Sequence, residues 1–103
     1  MPTMFVTAPP EAAASIAKTL VREELAACVN RIPCQSTYRW EGSVHEDEEE
    51  ILLVKTTDDA YPHCRQRVMT LHPYTTPCVE RFDEAEIEPA FADWRNRAVD
   101  PDR

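Results

Sequence analysis

Glycine occurs once in the 103 residues, at Gly42. Loops that cradle phosphates need several glycines where the backbone closes on a ligand, so a Walker loop and a dinucleotide fingerprint are both excluded. Lysine is scarce as well: only Lys18 and Lys55 are lysines, and the other basic residues are arginines. Acidic residues outnumber basic ones 19 to 11, for a net charge of -8. A chain of that sign repels the backbone of DNA or RNA, so no nucleic-acid partner is expected. No stretch approaches the roughly 20 apolar residues that span a bilayer, and Met1-Pro2-Thr3-Met4 has no basic lead into a signal sequence, so neither a membrane nor secretion is expected. The expected location is the cytoplasm. The carboxylate excess and the near-absence of lysine point to a proteome adapted to high salt, where hydrated carboxylates persist and their repulsion is screened.

What is present suits one small domain. Hydrophobic residues make up 43% of the chain and charged ones 29%, which is enough apolar matter for a single core over residues 1–103. Cys28, Cys34, Cys64 and Cys78 form no C-x-x-C pair and stand at no zinc-finger distance from a histidine pair, so four reduced thiols are expected rather than bridges or a closed zinc site.

Met4 to Ala8 is a short apolar run closed by Pro9-Pro10, as in a buried strand. From Glu11 to about Leu25, Ala13, Ile16, Ala17, Leu20 and Val21 recur at helical spacing. Ala27 to Trp40 reads as strand, and Pro33 within it calls for a bulge or an edge position. Glu41-Gly42 supplies a turn, and the acidic run Glu46 to Glu50 leads into Ile51-Leu52-Leu53-Val54, which gives a long hairpin with one arm in solvent. Thr57-Asp58-Asp59 offers cap oxygens to a helix carrying Tyr61, Cys64, Val68 and Leu71 on one face, and His72-Pro73 ends it. Cys78 to Phe82 alternates as a strand, Pro89 to about Val99 forms a last helix with Phe91, Trp94 and Ala98, and Asp100 to Arg103 is a frayed tail. The order β-α-β-β-α-β plus a terminal helix predicts an α+β, ferredoxin-like split sandwich.

Several words of the sequence then stand in a known order. Val6-Thr7-Ala8-Pro9, Leu25 to Asn30 with Ile32-Pro33, Tyr38-Arg39-Trp40-Glu41-Gly42, Val54-Lys55-Thr56-Thr57, His72-Pro73-Tyr74 with Thr76-Pro77, and Trp94 resemble the CutA family of divalent-cation tolerance proteins over nearly the whole chain. The resemblance implies a tight homotrimer in which long hairpin strands pair across subunits. It also implies a link to copper or other divalent metals and no established catalytic reaction. The apolar hairpin arms agree, since a small monomer would leave Ile51 to Val54, Tyr38 and Trp40 bare.

The resemblance implies a copper site built from a first-strand cysteine and a histidine pair, positions that match Val6, Leu71 and His72 here, so only His72 is retained. Cys78, where the family usually has glutamate, is the candidate second donor, because a soft thiolate suits Cu(I). The plainer reading takes His72 as a helix C-terminal cation and Cys78 as a small buried hydrophobe. Cys28 and Cys64 read as core residues, His63 and His45 as solvated side chains, and the Glu46 to Glu50 run as a weak, diffuse attractor of cations. No resident cofactor is otherwise implied. The alternative function is a trimeric signalling or scaffold module of PII-like architecture, with intersubunit clefts lined by Arg39, Trp40, Lys55, His72 and Tyr74. Those residues would suit a small anionic ligand. No nucleophile and base are placed together by spacing, so an enzyme is not expected.

Overall fold

The computed structural model describes residues 2–99; the expected tail from Asp100 lies outside the described residues, as does Met1. Seven elements follow in order: β1 (Pro2–Ala8), α1 (Pro10–Arg22), β2 (Cys28–Trp40), β3 (Ser43–Lys55), α2 (Tyr61–Leu71), β4 (Val79–Asp83) and α3 (Pro89–Ala98). The strands form one antiparallel sheet in the order β2-β3-β1-β4, which is the ferredoxin-like arrangement the element order calls for.

Strand alternation divides the sheet into two faces. Met4, Val6, Ala8, Leu52 and Val54 point to one side and are buried under Ala13, Ile16, Ala17 and Leu20 of α1 and Cys64 and Val68 of α2. The other face carries Phe5, Thr7, Ile51 and Leu53 at the centre and Ile32, Tyr38, Trp40 and Phe82 toward the edges, where the last four are 43, 38, 48 and 51% exposed. The end of α1 is tied to α2 by Arg67, whose guanidinium donates to both carboxylate oxygens of Glu23 at 2.9 Å. The β3–α2 connection is anchored by the Thr56 hydroxyl, which donates to the Leu25 carbonyl at 2.7 Å.

The shortage of glycine has a visible cost in the backbone. α1 stops at Arg22 rather than near Leu25 because Glu24 turns to φ 60°, the left-handed conformation that glycine usually supplies after a helix. The Leu25 N–H then reaches back to the Leu20 carbonyl at 2.9 Å and the Glu24 N–H to Val21 at 3.1 Å, the paired bonds of a Schellman ending. The β2–β3 turn repeats the pattern: Glu41 at φ 49° and Gly42 at φ 82° form a two-residue turn with both centres left-handed.

Pro33 sits opposite Glu50 in an unbroken register running from Cys28↔Lys55 to Trp40↔Ser43, so an edge position accommodates it and no bulge is present. The cap of α2 also differs from expectation. Ala60 occupies that position without a side-chain bond, the Thr57 hydroxyl oxygen accepts from the Ala60 N–H at 3.2 Å, and Asp58 is drawn instead to Arg81 at 2.6 Å. In α3 the expected aromatic residues Phe91 and Trp94 contact each other in a tilted pair, 37 and 41% exposed, while Arg95 is fully buried.

Candidate functional site

Where the outer half of the hairpin leaves the sheet, the loop after α2 lies against it and the two form an open cleft of about 650 Å³. Tyr38 and Trp40 of β2, Glu49 of β3, Tyr74 of the loop, Thr7 of β1 and Cys78 just before β4 all line it, with hydroxyls from Ser36, Thr75 and Thr76. The strand period explains the selection: Ser36, Tyr38 and Trp40 share one face of β2, and Glu49 lies on the matching face of β3.

The cleft is braced by hydrogen bonds. The Tyr74 hydroxyl donates to Glu49 Oε2 at 2.9 Å, and Glu49 is only 6% exposed. Burial, together with that bond to a carboxylate, holds the Tyr74 phenol well above its ordinary pKa, so it remains a donor. The Tyr38 hydroxyl donates to Asp47, which also raises the Tyr38 pKa, and the Tyr38 ring stacks on exposed His45 at 5.6 Å.

His72 is the hinge of the loop. It follows the last residue of α2 with an extended backbone, as its proline neighbour requires, and is 7% exposed. Its Nδ1 accepts the Tyr74 N–H at 3.1 Å and its Nε2 stands 2.8 Å from the Thr7 carbonyl oxygen, which assigns the proton to Nε2. Cys78 is drawn to the same residue through the Thr7 side chain and donates its thiol to Glu80 Oε1 at 3.6 Å. Burial first, then Glu80, raises the Cys78 pKa and keeps the sulfur protonated.

The loop therefore brings His72 and Cys78 to the same residue, Thr7, but it does so with both imidazole nitrogens engaged. That arrangement does not fit a bound copper ion, which needs a free nitrogen lone pair. Among the described residues no three His, Cys, Asp and Glu side chains group where they could hold a metal ion. As a residue Cys78 is exposed rather than a buried hydrophobe, although its thiol is partly shielded and held by Glu80. Cys64 is fully buried, and Cys28 and Cys34 are half-buried, with Cys34 Sγ 3.8 Å from Ser36 Oγ.

Of the residues expected in a ligand cleft, Trp40 and Tyr74 line it and His72 supports it. Within one chain Arg39 and Lys55 do not join them. Arg39 alternates to the opposite face of β2 from Tyr38 and Trp40, and Lys55 ends β3 opposite Cys28 and Thr3, at the far end of the sheet. Glu49 is the residue that sequence reasoning missed. It sits inside an acidic run that reads as solvated, and only the fold of the loop after α2 buries it.

Fold and site define a ferredoxin-like α+β protein with a hairpin cleft and no assembled metal centre among the described residues. The chain belongs to the CutA1 divalent ion tolerance protein family, which it matches over residues 3–98. It is 50% identical over 93 residues to the divalent-cation tolerance protein CutA of Thermus thermophilus, covering 88% of this chain and 90% of that one. The solved Cut A1 structure from Thermus thermophilus superposes with a TM-score of 0.89 at 46% identity, covering 97% of this chain and all of the other. The PII-like protein CutA from Nostoc sp. PCC 7120 superposes with a TM-score of 0.93 at 29% identity, covering 97 and 98%. No helix among the described residues is long and apolar enough to cross a membrane.

Proposed function

We propose that the chain serves divalent-cation tolerance as a homotrimer that works by binding a small ligand in its hairpin clefts, in the manner of a PII-like module, and not by catalysis. The observation that carries this reading is the cleft itself, about 650 Å³ and walled by three aromatic rings around a buried carboxylate. Assembly has its own support in the thirteen-residue β2, which is an edge strand, and in the exposed Ile32, Tyr38, Trp40 and Phe82 of the outer face. A trimer that joins β2 to neighbouring strands pairs that edge and turns those side chains toward a neighbouring subunit, so that the clefts lie between subunits.

A second reading, direct binding of copper or another divalent metal, is favoured by the convergence of His72 and Cys78 on Thr7. It requires His72 to leave the Thr7 carbonyl. Native mass spectrometry of the reduced protein with and without copper tests both readings. The expected spectrum is a trimer without stoichiometric copper. A trimer carrying one copper per subunit, lost in His72→Ala and Cys78→Ser, would replace the first reading with the second, and a monomer would overturn the assembly.

A further inference from the structure

Of the 11 basic residues only Lys18 and Lys55 are lysines, and one of them stands directly across a strand pair from a cysteine. Cys28 opens β2 and Lys55 ends β3, in register with each other. Their side chains therefore leave the same face of the sheet, with Cβ atoms about 4.5–5.5 Å apart. Thr3 of β1 continues the row, and Arg95 of α3, fully buried, brings its charge to the same thiol. The pair lies at the end of the hairpin away from its turn. Both members belong to one chain and to adjacent strands, so their proximity does not depend on a neighbouring subunit.

Lysine differs from arginine here in one chemical respect. Its amine can shed a proton and act as a nucleophile, which a guanidinium cannot do in a protein. Among the described residues no carboxylate forms a salt bridge with Lys55, so the amine is not held elsewhere. Cys28 is a free thiol and only half-buried, within reach of a small oxidant. Burial raises its pKa while the charges of Lys55 and Arg95 pull it down, so the thiolate is a minor form at neutral pH that grows as pH rises.

We propose that Cys28 and Lys55 are the two ends of a redox bridge, closed by hydrogen peroxide and reopened by thiols. In the first step the thiolate sulfur takes one oxygen from peroxide, the O–O bond breaks and the other oxygen leaves as water. Sulfur is oxidised by two electrons to the sulfenic acid and peroxide is reduced. In the second step the Lys55 amine attacks that sulfur, an S–N bond forms, the S–O bond breaks, and the hydroxide leaves with a proton from nitrogen as a second water. Sulfenic acids condense in this way even with a backbone nitrogen, which is a weaker nucleophile than an amine. One peroxide is consumed, two waters are released, and the chain loses two hydrogens. The resulting sulfenamide ties the base of the β2–β3 hairpin and restricts the unfolded chain as a disulfide does.

The test exposes the reduced, assembled protein to hydrogen peroxide and maps its peptides by mass spectrometry before and after dithiothreitol. The expected product joins the Cys28 peptide to the Lys55 peptide at the sum of their masses less two hydrogens. It should form faster as pH rises and disappear on reduction. Lys55→Arg keeps the charge and the strand contact but not the nucleophile, and is expected to abolish the joined peptide and drive Cys28 on to sulfinic acid. A melting temperature that peroxide raises and dithiothreitol restores in the parent, but not in Lys55→Arg, is the second expected readout. The bridge is overturned if Cys28 stays reduced, if it joins another cysteine, or if it reaches sulfinic acid equally in parent and variant.

Discussion

The imidazole of His72 clamps the end of α2 to the first strand, its Nε2 lying 2.8 Å from the Thr7 carbonyl oxygen while its Nδ1 receives the Tyr74 N–H. One side chain thus sets both the exit of the helix and the start of the loop that closes the cleft. His72→Ala removes two largely buried hydrogen bonds and is expected to cost about 2 kcal/mol. His72→Gln, whose amide can still donate to Thr7, is expected to recover part of that loss. Urea titration of the assembled protein measures both, and an alanine variant as stable as the parent would show that the clamp contributes nothing.

The two left-handed glutamates are sites where glycine or asparagine should stabilise. Glu24→Gly is expected to gain about 0.5–1 kcal/mol by relieving the Cβ strain of the Schellman ending, less the added freedom of the unfolded chain. Glu41→Asn completes the Asn-Gly pair that this hairpin turn prefers and should gain a similar amount. Conversely, Gly42→Ala meets no neighbour within 4 Å, so any loss there reports backbone strain at φ 82°, less the reduced freedom of the unfolded chain. Thermal denaturation of the three variants side by side separates these effects.

Arg95 is fully buried and donates to Glu84 Oε1 at 2.8 Å, which also accepts from the Thr3 hydroxyl. Burial alone would raise the Glu84 pKa, but the bonds from Arg95, the backbone and Thr3 outweigh it and bring the carboxyl below its ordinary value of 4.5. With the folded pKa depressed, the stability from this pair is complete above about 4.5 and is lost as pH falls through the lower folded value. Arg95→Met should cost about 3 kcal/mol near neutral pH, and should flatten the acid limb of the stability curve. A variant that keeps the parental acid limb would assign that limb to other carboxylates.

Thiol reactivity should follow burial. Desolvation pushes the Cys64 thiol up to about 12, so at pH 8 only about one molecule in ten thousand carries the thiolate there. A charged disulfide reagent is therefore expected to leave Cys64 untouched until the protein unfolds, and to reach Cys78, exposed but with its pKa also raised, only slowly. Mass mapping of the labelled cysteines over time distinguishes the two.

If the carboxylate excess is an adaptation to salt, screening must relieve real repulsion. Glu46, Glu48 and Glu50 alternate onto one face of β3, Asp47 and Glu49 onto the other, so each face carries like charges about two residues apart. The melting temperature is expected to climb steadily from low to multimolar KCl. A flat or falling profile would refute the adaptation.

The sheet and both core helices were legible because apolar residues at two- and 3.6-residue periods report a buried face directly, as with Leu52 and Val54 or Ile16 and Leu20. The hairpin turn was legible from Glu41-Gly42. The end of α1 was not, because glutamate carries no local signal for a left-handed backbone and only the bonds to Leu20 and Val21 hold Glu24 there. Arg95 escaped for a related reason: a basic residue on a helix reads as surface, and its burial depends on Glu84 arriving from another segment. For the site, Trp40, His72 and Tyr74 were readable as unusual residues, whereas the burial of Glu49 and the faces taken by Arg39 and Lys55 within one chain depend on the strand register and on a distant loop.

β1 accompanies β3 only from Glu50 onward, so the outer arms of the hairpin, from Cys34 and Glu49 to the turn, have only each other for backbone partners within the chain. A ribbon of two strands is marginal in water by itself. In the proposed trimer the order of this arm would depend on the neighbouring subunits as well as on the fold of one. The rings of Tyr38 and Trp40 stand on that arm, so in such an assembly their placement follows the association equilibrium.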